Sequence, residues 1–201
     1  MAKLAPSLVR ARVTIDARWP NRDRASDGWI GDPAHQGRTS DHNPNGRAMV
    51  DALDIDMYGG PNQVHRPTIV AAGILHPAVN YVIHDWRIYQ ANDMFRPRDY
   101  NGINPHAGHC HYSIRQTTTA EGDPTPWSIL AAFPAWPMLR KGMTGTKPRQ
   151  LQAYLNAWGA SLACDGELGS LTDQAIRAYQ EHHGLAVDGL VGPLTRGKLF
   201  S

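Results

Sequence analysis

The sequence predicts two units in series, an α+β unit over residues 1–120 and an all-α unit of three helices over residues 139–201. Three observations lead there. Val50–Met57 and His109–Arg115 alternate polar and apolar residues with period two, among long loops rich in Gly, Pro, Asp and Arg. Residues 121–138 hold four prolines, a composition that marks a linker between units. From Leu139 onward the apolar residues recur at helical spacing instead.

Each element follows from its local pattern. Val50–Met57, V-D-A-L-D-I-D-M, reads as a strand. Thr68–Leu75 reads as a helix that stops at His76-Pro77, because the residue before a proline is pushed out of the helical region. Val79–Tyr89 is rich in β-branched and aromatic residues and predicts one or two strands. His109–Arg115 predicts another. Inside the Pro-rich segment, Trp127–Phe133 predicts a short helix docked on the first unit. Pro148–Trp158 then places Leu151, Tyr154, Leu155 and Trp158 on one helical face. Leu171–His182 does the same with Ala175, Ile176, Ala178 and Tyr179, and Leu194–Phe200 is a short third helix. The segments Asp165–Thr172 and Asp188–Thr195 share the pattern D-G-x-x-G-x-L-T, 23 residues apart. Each copy is a glycine turn leading into a helix, with Ser170 a candidate N-cap and Pro193 suited to a first helical turn.

Composition removes several function classes. A hydrophobic fraction of 41% and a charged fraction of 19% suit a folded globular chain rather than a disordered one. The net charge is +2 with both signs intermixed, so no basic stripe marks a nucleic-acid groove. No apolar run nears the roughly 20 residues that span a bilayer, so no membrane insertion is expected. Met1–Pro6 shows neither the apolar core nor the cleavage site of a signal peptide. A chain of this kind acting outside the membrane would be made in the cytoplasm and need another agent to release it. Cys110 and Cys164 fall in different units and are read as free thiols.

Eight of the ten histidines lie at or before residue 111, which points to a metal or acid–base site in the first unit. Three segments carry it: Arg38–Asn43, Ala52–Asp56 and Asn104–Ser113. On a strand, His109 and His111 share one face and Cys110 takes the other, with the imidazoles roughly 7 Å apart at the backbone. One can ligate a metal while its neighbour serves as acid–base group, and His106 can reach over the same place. Asp54 and Asp56 share a face, flanked by core-facing Leu53 and Ile55, so a carboxylate there needs a cation or hydrogen bonds. A catalytic zinc takes three N or O ligands and keeps one position open. His42, one of the two aspartates and His111 supply that set, with His109 as general base and then acid in peptide hydrolysis. Arg38 and Arg96 are candidate anchors for substrate carboxylates, and Ser40 is a turn residue or a substrate contact. His35, His65, His76 and His84 read as surface or core residues, and Cys110 as a small buried hydrophobe.

These segments resemble a known family. Ser40-x-His42, Ala52-Leu53-Asp54 and His109-x-His111 resemble the zinc peptidases grouped as lysostaphin, D-Ala-D-Ala metallopeptidases and hedgehog proteins. The likeness is to the D-Ala-D-Ala carboxypeptidase branch, in forms found in phage endolysins, and covers about residues 5–115. Arg24–Gly28 and Tyr100–His106 also look like that type. The resemblance implies a small antiparallel sheet with helices and long loops, a Zn2+ cofactor held by His42, Asp54 and His111, and His109 as the catalytic acid–base group. It favours Asp54 over Asp56, because Asp54 completes A-x-D. His106-x-x-His109-x-His111 resembles the penicillin-insensitive murein endopeptidases, where extra histidines line the site, so His106 joins the catalytic set. D-Ala-D-Ala dipeptidases carry a Glu three residues before the last ligand, where this chain has Gly108. Residues 139–201 resemble the three-helix peptidoglycan-binding domain, through Leu151-Gln152, the two D-G turns and Tyr179-Gln180.

The implied protein is an endolysin that cuts peptide bonds of bacterial peptidoglycan, as a monomer, with release dependent on a holin. Two other classes compete. A non-catalytic wall-binding or virion structural protein would keep the zinc site without needing His109. A glycosidase would need two carboxylates flanking a cleft, which the acidic residues do not supply.

Overall fold

Alternation along the strands gives the central sheet two unlike faces, and that asymmetry places both the core and the site. The computed structural model describes residues 1–31, 37–57, 63–129 and 136–200. Strand β1 (Lys3–Leu4) leads into helix α1 (Pro6–Arg18), then β2 (Met49–Val50), β3 (Ala52–Asp56) and helix α2 (Arg66–Leu75). Strands β4 (Val79–His84), β5 (Arg87–Gln90), β6 (Pro97–Asp99) and β7 (His109–Ile114) follow, then the short helix α3 (Thr118–Gly122). Helices α4 (Thr146–Ala157), α5 (Ser170–His182) and α6 (Pro193–Leu199) end the chain.

Strands β3-β7-β4-β5-β6 form one five-stranded sheet, antiparallel throughout, and β1 pairs β2 in parallel beside it. One face is apolar. Leu53, Ile55, Val82, Cys110, Tyr112 and Ile114 are buried there, and α2 packs on β4 and β7. Gly73 permits the close approach, since a Cβ there would lie 2.7 Å from both Tyr112 Cε1 and Val82 Cγ2. The opposite face carries Asp54, Tyr81, His109, His111 and Ser113. Between β4 and β5 the turn is only Asp85-Trp86, both at positive φ, the two-residue connection whose twist suits a hairpin. It docks on the 100–106 loop through Trp86 N–H to Pro105 O (2.9 Å) and Tyr100 N–H to Trp86 O (2.7 Å).

The C-terminal helices share a buried core with the sheet. Helix α4 packs on the outer side of α2, and Cys164 N–H donates to Met94 O at 2.8 Å. The D-G repeat is a repeated clamp. Gln152 Oε1 accepts Gly166 N–H (2.8 Å), while its Nε2 donates to Asp165 (2.7 Å) and Glu167 O (3.0 Å). Gln180 repeats the scheme with Gly189 N–H (2.9 Å), Asp188 (2.9 Å) and Leu190 O (3.0 Å). Gly166 and Gly189 sit at φ +83 and +73, a region that favours glycine.

Several expectations change. The Val50–Met57 strand is two pieces, broken at buried Asp51. The N-cap of α5 is Gly169, without a side-chain cap, because the helix starts one residue early and makes Ser170 its first residue. Pro193 does open α6. Trp158 ends α4 instead of lining its buried face and is 38% exposed, and Ala178 is exposed on α5. Residues 127–129 are not helical, and the Trp127 indole docks by donating to Ser7 O on α1 (2.9 Å) and by stacking on His76. The rest of that expected helix, to Phe133, lies outside the described residues. Both cysteines are free and buried.

Candidate metal centre

Register builds half of the site. Asp54 on β3 and His111 on β7 are direct cross-strand partners, so their side chains leave the same face side by side. A slip of one residue in either strand would turn that strand's ligand into the core. Two backbone hydrogen bonds between Asp54 and Gly28, 2.7 and 3.2 Å, pin the free edge of β3.

A loop brings the third member. Asp41, next to His42, is anchored on the sheet by Tyr81 Oη (2.7 Å), Ser113 Oγ and Gln116 Nε2 (2.9 Å). Ser40 Oγ accepts His42 N–H at 3.3 Å, and a hydrogen bond to the Trp29 backbone holds the imidazole. His42 Nε2 then lies 3.2 Å from Asp54 Oδ2 and 3.2 Å from His111 Nδ1. His111 Nδ1 is 2.9 Å from Asp54 Oδ1.

The donor set fits a zinc ion. Ligand atoms of the three residues all lie within 4.8 Å of one another. Tetrahedral ligands at about 2.0–2.2 Å from zinc sit roughly 3.3–3.5 Å apart, close to the separations seen. Two nitrogens and a carboxylate facing one another have too few protons for three good hydrogen bonds, and a cation satisfies all three. Among the described residues this is the group that could hold a metal.

Electrostatics agree. Burial alone would raise the pKa of Asp54, but hydrogen bonds and charge from His111 and His42 hold it well below the usual carboxylate range. Burial opposes charge on His42 too, yet the Asp54 hydrogen bond and charge raise its pKa. Asp56 is a different case. Its Oδ2 accepts both N–H and Oγ–H of Ser26, each at 2.7 Å, and its N–H donates to Asp27, which pairs with buried Arg22. Asp56 ties down the strand edge, and Asp54 is the carboxylate in the cluster.

His109 and His106 flank the cluster. His109 Nε2 is 3.8 Å from Asp54 Oδ1. Its pKa lies below the ordinary value, through burial first, against the pull of Asp54. The His106 ring is 4.8 Å from His109 and 5.4 Å from His111. Burial, then the neighbouring histidines, push its pKa down to about 4. His106 Nδ1 is 2.7 Å from the Asn104 carbonyl, which only accepts, so Nδ1 carries the proton and Nε2 is left as an acceptor. The backbone at His106 is left-handed, φ +54, and Asn104 Oδ1 holds it by accepting its N–H at 3.0 Å.

These groups line a cleft of about 480 Å³ with Arg38, Ser40, Tyr81, Tyr100 and Asn104 on its walls. Arg96 is not among its lining residues, because its segment belongs to the turn before β6. His35 lies outside the described residues. His76 is buried against Trp127, and its Nε2–H donates to Thr125 O (3.0 Å) while Nδ1 accepts Ala78 N–H; His65 bonds Thr68 (2.7 Å). His84 is neither surface nor core filler: its Nδ1 lies 3.2 Å from both the His106 and His109 carbonyls and ties those two backbones together. Asp41, Tyr81 and Asn104 carry no functional expectation from the sequence, and His84 reads there as a surface or core residue. The signal available for Tyr81 was period two from His111's neighbour strand; for the others nothing local gives it.

Residues 144–199 match the family described as "Putative peptidoglycan binding domain". The zinc D-Ala-D-Ala carboxypeptidase of Streptomyces albus G is 40% identical over 65 residues, 31% of this chain and 26% of that protein. The N-acetylmuramoyl-L-alanine amidase CwlL of Bacillus licheniformis is 42% identical over 65 residues, 31% of this chain and 18% of that protein. The crystal structure of the Burkholderia AP3 phage endolysin is 43% identical over 31% of this chain and 24% of its own, with a TM-score of 0.31. The chain thus spans about a quarter or less of the curated relatives it matches. His42 and His111 stand 69 residues apart, so the 65-residue matches do not contain the whole cluster. The matches relate part of the chain, residues 144–199 by the family model, to proteins named as a carboxypeptidase, an amidase and an endolysin.

Proposed function

We propose that the chain is a zinc-dependent peptidase that hydrolyses peptide bonds of bacterial peptidoglycan, with residues 1–120 as the catalytic unit and residues 139–201 holding the wall. The observation that carries this is the convergence of His42, Asp54 and His111 at the floor of an open cleft beside two further histidines. His42 Nε2, Asp54 and His111 Nδ1 would hold the zinc. When bound, zinc supplies Lewis acidity toward the scissile carbonyl.

The remaining steps belong to the protein. His109 Nε2 takes a proton from the attacking water and returns it to the leaving amine, work worth about 10²–10⁴-fold in rate. Its lowered pKa keeps the imidazole neutral, the form a base needs at pH 7. His106, with Nδ1 committed to Asn104, meets the substrate through Nε2. Arg38 offers a cation at the cleft wall for a substrate carboxylate. Ser40 accepts from His42 N–H yet keeps its own hydrogen for the substrate. The named activity of the Streptomyces relative supports a wall peptide as substrate, and the resemblance to endolysins carries the further reading of a monomeric phage enzyme released by a holin. No helix among the described residues is long and apolar enough to cross a membrane.

Mass spectrometry of purified wall digested with and without a chelator tests the reading. New peptide termini that vanish with chelator and return with zinc are expected. Released sugars with new reducing ends, or digestion indifferent to chelator, would contradict it.

A further inference from the structure

Behind the cleft, the backbone that carries two of its histidines hangs on one side chain of β4. The paired register of β4 with β7 ends at Ile83 opposite His111. Past that point the His84 side chain takes over: its Nδ1 lies 3.2 Å from the His106 carbonyl and 3.2 Å from the His109 carbonyl. Carbonyls only accept, so Nδ1 carries a proton and shares it between them as a three-centre bond. Alternation along β4 turns His84 to the same side as buried Val82, whereas Tyr81 and Ile83 face the cleft. His84 accordingly lines a separate cavity of about 460 Å³, together with His65, Arg66, Asp85, Arg87 and Tyr89.

The arc it holds has little else to fix it. His106 has a left-handed backbone, φ +54, which is uncommon for a residue other than glycine. Apart from His84, its carbonyl accepts Asp85 N–H at a long 3.3 Å. Between the two histidines, Gly108 O accepts Met57 N–H at 2.9 Å and Ser26 Oγ–H at 3.3 Å. Those bonds anchor Gly108 toward β3 and leave the carbonyls on either side to His84. Burial first, opposed by the two carbonyls and Asp85 and helped by Arg66, keeps the pKa of His84 below its ordinary value. The ring is therefore neutral at pH 7, with its one proton at Nδ1.

We propose that His84 is a positioning residue for the hydrolysis: by sharing one N–H between the His106 and His109 carbonyls, it sets where both imidazoles stand beside the His42, Asp54 and His111 cluster. It faces away from the cleft and touches no substrate, so it acts only through those two histidines. The proposal rests on the peptidase reading above and adds a residue to it. A catalytic group misplaced by about 1 Å can cost on the order of 10²-fold in rate. The metal ligands do not depend on His84. Asp54 and His111 are set by the β3–β7 ladder, and His42 by its own loop through Asp41 and Ser40. Loss of His84 should therefore slow the chemistry and leave zinc in place.

The test measures kcat and KM on soluble muropeptides, with zinc content and melting temperature, for the full chain. His84→Ala should lower kcat about 10–100-fold, with KM changed by no more than about two-fold and one zinc per chain retained. His84→Asn places an amide N–H near the Nδ1 position and should recover most of the rate. His84→Gln, whose amide lies one carbon farther out, should not. In the wild-type chain, imidazole 15N shifts should show His84 protonated at Nδ1 and bare at Nε2, a readout that requires no variant to fold. A proton on Nε2, an Ala variant with full kcat, an Asn variant as slow as the Ala variant, or a rate loss matched by lost zinc would overturn the positioning role and leave the peptidase reading standing. A wild-type chain that cleaves no muropeptide with zinc bound would instead overturn the peptidase reading, and with it the role that rests on it.

Discussion

The two buried polar centres of the molecule are built on opposite plans. Around Gln152 and Gln180 every donor meets an acceptor of the chain itself, so each clamp is closed and needs nothing from outside. At His42, Asp54 and His111 two imidazole nitrogens and a carboxylate make three close contacts with too few protons to satisfy all of them. A closed centre is architecture, whereas an open one that folding nevertheless assembles from three distant segments marks a place for a cation. Asp51 sharpens the contrast as a third type. It is 1% exposed, its Oδ1 has no partner among the described residues, and burial first lifts its pKa to about 6.

The contrast breaks if the two centres respond alike to substitution. The largest effect is expected from Asp54→Ala, which should reduce wall hydrolysis to background, while Asp56→Ala should retain it in whatever fraction stays folded; release of soluble peptide measures both. Next comes His109→Ala. It should lower turnover about 10²–10⁴-fold with zinc content unchanged, and a variant with full turnover would remove His109 from the chemistry.

Gln152→Ala should act on the other side of the comparison. It strips Gly166 N–H of its partner and leaves Asp165 only the Glu167 N–H, and should cost about 1–3 kcal/mol in urea unfolding, with no loss of zinc. Asp51→Asn should stabilise the protein at pH 7. An acid whose folded pKa is raised from its ordinary value to about 6 leaves stability highest at low pH and lowers it as pH rises toward 6. The advantage of the variant should therefore grow between pH 4 and pH 6 and stay level above that, as denaturation midpoints across pH would report. The smallest effect is expected from Tyr81→Phe. Losing one hydrogen bond to Asp41 loosens the His42 loop and should weaken zinc about ten-fold, visible in competition with a chelating dye.

Legibility in the sequence followed the range of the interaction. Period two put His109 and His111 on one face and Cys110 on the other, because strand geometry alone decides it. The paired D-G turns stood out since each clamp repeats at fixed spacing within one small helical unit. Register was not legible. Asp54 faces His111 across 57 residues of chain, with β7 inserted between β3 and β4, so pairing could not choose between Asp54 and Asp56. Tyr81, Asp41 and His84 went unread for the same reason, as their partners belong to other strands and loops. Ser170 missed its cap by one residue, the scale on which local propensity fails to fix a helix end.

The central claim is that three side chains share one zinc ion, and metal content by plasma mass spectrometry tests it most directly. One zinc per chain in the wild-type protein and in folded Asp56→Ala, with none in Asp54→Ala, is the predicted result. A wild-type chain that takes up no zinc, or an Asp54→Ala chain that keeps a full equivalent, would contradict it.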